Sequence, residues 1–175
     1  MDPQFLAQIR QRRALVLDQV RRLPIAAVVW GPAPTSASPL AAARVALRDA
    51  LRRQGHVAHF SEELYDPTQP FSIHTQQAAD VESHDIVFSL PGSPGSIAEA
   101  HDFYKLPGLS RKLITFLDNG WSDGYASKSL IELRSLATGD IILYDAPELP
   151  DCIVTQALAI VGRLQEVQFI MGRRV

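Results

Sequence analysis

Short apolar runs alternate with longer segments of helical periodicity from residue 25 onward, and this alternation constrains the fold more than any other feature. The runs are Ile25–Trp30, His56–Phe60, Asp85–Leu90, Lys112–Leu117 and Ile141–Tyr144. Continuous rather than alternating hydrophobicity marks strands buried on both faces. Helical spacing follows over 40–53, 71–82, 96–104, 127–136 and 152–169. Strand–helix alternation specifies a parallel sheet covered on both sides. The expected fold is α/β, a doubly wound five-stranded parallel sheet of Rossmann-like or flavodoxin-like layout.

Pro24 separates this pattern from an earlier one. Residues 3–22 have Phe5, Ile9, Val16 and Val20 at helical spacing, with five arginines around them. The organisation read from the chain is an N-terminal helix over 1–22 and one α/β domain over 23–175. Two readings of the helix stand: an extra element packed on the domain, or a docking helix for a partner chain. With 175 residues, 46% of them hydrophobic, the chain can bury a full core. A net charge of −2 gives no sign of a nucleic-acid surface. No apolar run approaches the roughly 20 residues of a membrane span. The single cysteine, Cys152, cannot form an internal disulfide, so a reducing, cytoplasmic location is expected.

In an open parallel sheet the ligand crevice lies at the carboxyl ends of the strands, where successive connections leave to opposite faces. For strand order 2-1-3-4-5 that point falls between the first and third strands. The two connections there, Gly31–Pro39 and Pro91–Ser96, are also the richest in Gly, Pro and Ser. In the second, Gly92 and Gly95 permit close backbone approach, and Ser93 lies between them. Ser96 is a natural N-cap, and the helix start it opens presents free N–H groups to a phosphate or a sugar. Glu99 has two readings. In one, Ser96-x-x-Glu99 is a capping box. In the other, Glu99 faces the ligand as nucleophile or as stabiliser of an oxocarbenium-like centre.

In the first connection, Gly31 allows close ligand approach, while Ser36 or Ser38 either binds a phosphate or sugar hydroxyl or, for Ser38, caps the next helix. A third group follows the fourth strand: Asp118-Asn-Gly-Trp121-Ser-Asp-Gly-Tyr125. Asp118 at a strand end beside Trp121 and Tyr125 would hold a ribose and stack a base; the alternative is a plain turn. The five histidines show no metal-ligand spacing, and no metal or cofactor is expected.

The stretch Asp85–Glu99 resembles the strand–loop–helix of a superfamily of Rossmann-like nucleotide-processing proteins. That superfamily includes nucleoside 2-deoxyribosyltransferases and lonely-guy phosphoribohydrolases. The latter carry P-G-G-x-G-T-x-x-E, to be compared with Pro91-Gly-Ser-Pro-Gly-Ser-Ile-Ala-Glu99. The former carry D-x-G-T-x-x-E-x-G, and their nucleophilic Glu falls on Glu99. Over about residues 25–145 the order of elements is also similar to effectors of bacterial anti-phage systems. The resemblance implies cleavage or transfer of an N-glycosidic bond in a nucleoside, nucleotide or NAD-like molecule. Glu99 would act at the anomeric carbon, and Asp118 or a water would assist protonation of the leaving base. It also implies a homodimer or larger assembly and a role in antiviral defence. Ser93 stands where the deoxyribosyltransferase pattern has an Asp, which carries the alternative: a non-catalytic nucleotide-sensing module.

Overall fold

Strand β1 (Ala26–Trp30) is flanked by β2 (Val57–Phe60) on one side and β3 (Ile86–Ser89) on the other; β4 (Leu113–Asp118) and β5 (Asp140–Tyr144) continue the sheet. The order is β2-β1-β3-β4-β5 and every pairing is parallel, as the alternation of elements requires. The computed structural model describes residues 3–121, 123–134 and 139–174; the side chains of Pro3, Pro94, Glu99, Pro107, Ala126, Leu133 and Arg134 fall outside that description.

Because successive strand residues point to opposite faces, the sheet divides the core in two. Ala27, Val29, Phe88 and Phe116 pack on one face against α2 (Pro39–Arg53) and α8 (Asp151–Ile170), through Leu47, Leu51, Ile153 and Val161. Val28, Trp30, Val87 and Leu117 pack on the other face against α4 (Ile73–Ser83), α5 (Pro94–Tyr104) and α7 (Tyr125–Arg134), through Val81, Ile97, Phe103 and Leu130. Each fully buried Phe or Leu contributes about 1.5–3 kcal/mol of transfer free energy.

Local signals set the helix ends. The Ser38 hydroxyl accepts the Ala41 N–H at 3.1 Å and Pro39 occupies the first position of α2. Gly55, at φ +84°, follows the end of that helix in the left-handed conformation that stops it. N-terminal α1 (Pro3–Arg22) rests on α8, where the Gln165 amide donates to the carbonyls of Arg21 and Leu23 at 3.0 and 2.8 Å. Phe5, Ile9, Leu15, Val16 and Leu17 on α1 are exposed.

Two one-turn helices lie outside the pattern read from sequence: α3 (Ser61–Leu64), directly after β2, and α6 (Pro107–Ser110). Four-residue turns carry too little periodicity to be read. The helix expected from Ser96 begins two residues earlier, at Pro94.

Candidate functional site

The two connections at the switch point fit around glycines. Gly31 has φ +153°, and a β-carbon there would lie 3.0 Å from the Leu90 carbonyl oxygen and 3.1 Å from Arg44 Cδ. A β-carbon on Gly92 would lie 3.0 Å from Pro32 Cγ, so the first and second connections touch at that point.

Arg44, from α2, is fully buried beneath them. Its guanidinium donates to the Val29 carbonyl at 2.7 and 3.1 Å and to the Pro32 carbonyl at 2.8 Å. It also grips the Glu62 carboxylate with two bonds of 2.8 and 2.6 Å, and lies 4.4 Å from the centre of the Phe60 ring. A planar five-donor group suits this multiple grip. The hydrogen bond from Arg44 holds the Glu62 carboxyl below its ordinary range. Arg44 thus ties the end of β1, the first connection and α3 together. Neither Arg44 nor Glu62 was singled out from sequence. The available signal was spacing: Arg44 lies three residues before Leu47 and seven before Leu51, on the core stripe of α2.

The start of α5 corrects the expected cap. Ser93, not Ser96, is the N-cap. The Ser93 hydroxyl accepts the Ser96 N–H at 3.2 Å, and the Ser96 hydroxyl accepts the Ser93 N–H at 3.0 Å. This reciprocal pair is a capping box with Ser in the place of Glu. Glu99 is therefore the sixth helical residue and not the third, so the Ser96–Glu99 capping box is excluded. The pairing also consumes two of the amides expected to serve a ligand, and Pro94 has none. The amides of Gly92 and Gly95 have no partner among the described residues.

Between the connections lies a cleft of about 340 Å³. Trp30, Gly31 and Pro32 line it from β1, and Ser89 to Ser93 from β3 and the second connection. Ser96 and Ala100 line it from α5; Ser61 and Gln77 close it from α3 and α4. None of these lining side chains is charged.

Two of the lining residues, Ser89 and Trp30, carry a polar group without a partner among the described residues. Ser89 is 5% exposed and its hydroxyl makes no hydrogen bond among the described residues. Trp30 is 9% exposed; its ring packs on Phe103 at 4.8 Å and its indole N–H is buried without a partner. The two residues are register partners on adjacent strands. Buried polar groups are paired in the great majority of cases, so the Trp30 indole calls for an explanation. Sequence reading missed Ser89, although a lone polar residue in the run Ile86-Val-Phe-Ser-Leu90 marks it. Ser61 and Gln77 come from distant segments and left no signal.

Of the residues proposed from sequence, the cleft gathers Gly31, Gly92, Ser93 and Ser96, with Gly95 in the adjoining helical turn. Glu99 sits on α5 three residues after Ser96 and one before Ala100; its side chain lies outside the described residues. The others are not among the lining residues. Ser36 is exposed in a turn and donates its N–H to the Ala33 carbonyl at 2.9 Å. Asp118 accepts the Gly120 N–H at 2.8 Å. It is the register partner of Tyr144, whose hydroxyl is pushed up to about 12, first by burial and then by the Asp118 charge. Trp121 lies in a 3-10 turn, and Tyr125 is 91% exposed at the start of α7.

Away from the cleft, burial pushes the Cys152 thiol up, which disfavours the reactive thiolate. Among the described residues no group of three His, Cys, Asp or Glu side chains is placed to hold a metal ion. Nor is any described helix long and apolar enough to cross a membrane. No protein-family model matches the chain, and no curated protein matches it.

Proposed function

We propose that the cleft binds a nucleoside or nucleotide and that the chain cleaves or transfers its N-glycosidic bond. The observation that carries this reading is that Ser89 and Trp30, each with a polar group unpartnered among the described residues, line a cleft bounded by the α5 N-terminus. Hydroxyls, free glycine amides and a helix start, with no charged side chain among the described lining residues, suit a sugar or a phosphate.

Glu99 is the acting group in this reading. Residues three apart on a helix are neighbours, so its position beside Ser96 and Ala100 borders the cleft, and Ser96 already serves the cap. Its carboxylate forms a bond to C1′ of the sugar, or stabilises the cation there, as the C1′–N bond breaks. The base leaves with the electron pair and takes a proton from water. A second water, or an incoming base, then releases the sugar.

Incubation with a panel of nucleosides, nucleotides and NAD, with chromatography for free base, tests this. Base release by the native chain and its loss in Glu99→Gln are expected. Absence of release from every member overturns the catalytic reading.

A second reading is a nucleotide-sensing module. What favours it is Asp118, held by the Gly120 amide outside the cleft, which leaves no acid among the described residues lining the cleft itself to protonate the leaving nitrogen. It predicts ligand-induced thermal stabilisation without turnover, retained in Glu99→Gln. Either form would serve a defence effector of the kind the sequence resembles.

A further inference from the structure

Beside the cleft, between α3 and α4, lies a second hollow of about 250 Å³. Ser61 and Gln77 line both, so the two hollows adjoin. Together they fall within the size of small-molecule sites, about 300–1,000 Å³, which the second hollow alone does not reach.

The two differ in chemistry. The first offers hydroxyls and amides, with no charged side chain among its described lining residues. The second is walled by Tyr65 and Ile73, both well exposed for apolar groups, and contains the Glu62 and Asp80 carboxylates. Most of its polar groups are engaged. Glu62 is held by Arg44 and by the Ser61 hydroxyl. The Gln76 amide accepts the Asp66 N–H and donates to the carbonyls of Asp66 and Phe71. That leaves the Gln77 amide and the Asp80 carboxylate without a hydrogen bond among the described residues. Asp80 is half-buried, and that burial raises its carboxyl above its ordinary value. An apolar slot with a carboxylate acceptor and a free amide calls for a planar ring whose edge donates.

We propose that this hollow receives the base of the ligand whose sugar or phosphate occupies the cleft, and that Asp80 selects guanine. The inference rests on the function proposed above. A carboxylate only accepts. Of the common bases, guanine alone presents two adjacent donors, the N1–H and the 2-amino group, to its two oxygens in a bidentate pair. Adenine and cytosine present one amino group beside an acceptor nitrogen, which repels a carboxylate. The Gln77 amide donates to the guanine carbonyl, and Tyr65 and Ile73 cover the ring. A site built to pair a polar edge rejects an analogue that lacks it, because its own group is then left unpaired.

Calorimetric titration of the full chain with ribose 5-phosphate and with the 5′-monophosphates of guanosine, inosine and adenosine tests the assignment. Inosine differs from guanosine only in lacking the 2-amino group. Guanosine monophosphate should bind about tenfold more tightly than inosine monophosphate, which is about 1.4 kcal/mol, and adenosine monophosphate more weakly than either. Asp80→Asn should erase the difference between guanosine and inosine while leaving ribose 5-phosphate binding unchanged. Equal binding of the guanosine and inosine compounds, or an unchanged preference in Asp80→Asn, overturns the assignment. Ribose 5-phosphate binding as tightly as any nucleotide does so too, while leaving the cleft reading intact. Failure of every compound to bind overturns both. Should Asp80→Asn not fold, Tyr65→Ala decides: it should weaken the nucleotides and spare ribose 5-phosphate, and equal affinities in it and the native chain overturn the assignment.

Discussion

Trp30 and Ser89 stand opposite each other in the parallel pairing of β1 and β3, and each carries a side-chain polar group with no hydrogen-bond partner among the described residues. A buried serine usually donates or accepts inside the protein, and its removal then destabilises the fold. Here stability and binding separate. Ser89→Ala should leave the thermal midpoint of the free protein unchanged or slightly raised. It should also weaken binding of guanosine monophosphate about fivefold, the equivalent of about 1 kcal/mol for one neutral hydrogen bond. Differential scanning fluorimetry with and without the nucleotide reads both quantities. A midpoint several degrees lower without nucleotide would show that the hydroxyl serves the fold instead.

Two glycines should respond in opposite directions to the same substitution. Gly31→Ala introduces a positive φ on an L-residue and a contact of 3.0 Å with a backbone carbonyl, and should cost about 1–3 kcal/mol. Gly162 lies within α8, where a β-carbon would meet nothing within 4 Å. Gly162→Ala should stabilise by about 1 kcal/mol through helix propensity. Urea midpoints of the two variants beside the native chain check the pair.

Stability should fall with acidity in two separable steps. His56 is buried, its Nδ1 accepts the Ile25 N–H at 3.3 Å, and burial lowers its pKa below 6.5. The folded state binds the proton less readily than the unfolded one. Its contribution is therefore complete above 6.5 and is lost as pH falls through the folded pKa. Glu62, held down by Arg44, contributes fully above its ordinary 4.5 and loses that contribution below it. Urea midpoints from pH 8 to pH 3 should show both steps. His56→Asn, which keeps an acceptor of similar reach, should flatten the first; Glu62→Gln should flatten the second. Glu62 is half exposed, so its loss should cost no more than about 1 kcal/mol near neutrality.

Removing α1 tests assembly. Five large apolar side chains on that helix face outward, a pattern associated with interaction surfaces. We propose that the chain forms a homodimer or larger assembly through it. Light scattering should give a mass above that of one chain for residues 1–175 and a lower one for 23–175. A single-chain mass for the full chain would count against this.

Much of the architecture was legible because it follows from one rule repeated five times. A buried parallel strand must be apolar on both faces, and a crossover helix must follow it. The two connections at the switch point were legible for the same reason: topology fixes where they meet, and glycines mark where they pack. The α5 cap was not. Ser93 and Ser96 are both good caps three residues apart, and only the backbone decides which opens the helix. Asp118 illustrates a signal that was present and not used. Phe116 faces α8 and Leu117 faces α5, so the pleat sends Asp118 toward α8 and Tyr144, away from the cleft. Ser61 and Gln77 reach the site only because α3 and α4 fold over it, and no spacing in the chain encodes that.

The grip of Arg44 on α3 separates what frames the depression from what contacts its contents. The frame is fixed from beneath, by a buried cation bonded to Val29, Pro32 and Glu62. Tyr65 and Ile73, at the outer wall, make no side-chain hydrogen bonds among the described residues and are exposed to solvent. Exchanging them alters the shape offered to a ligand without loosening the support underneath. Within this fold, ligand preference can drift at the rim while the scaffold that presents it stays constant.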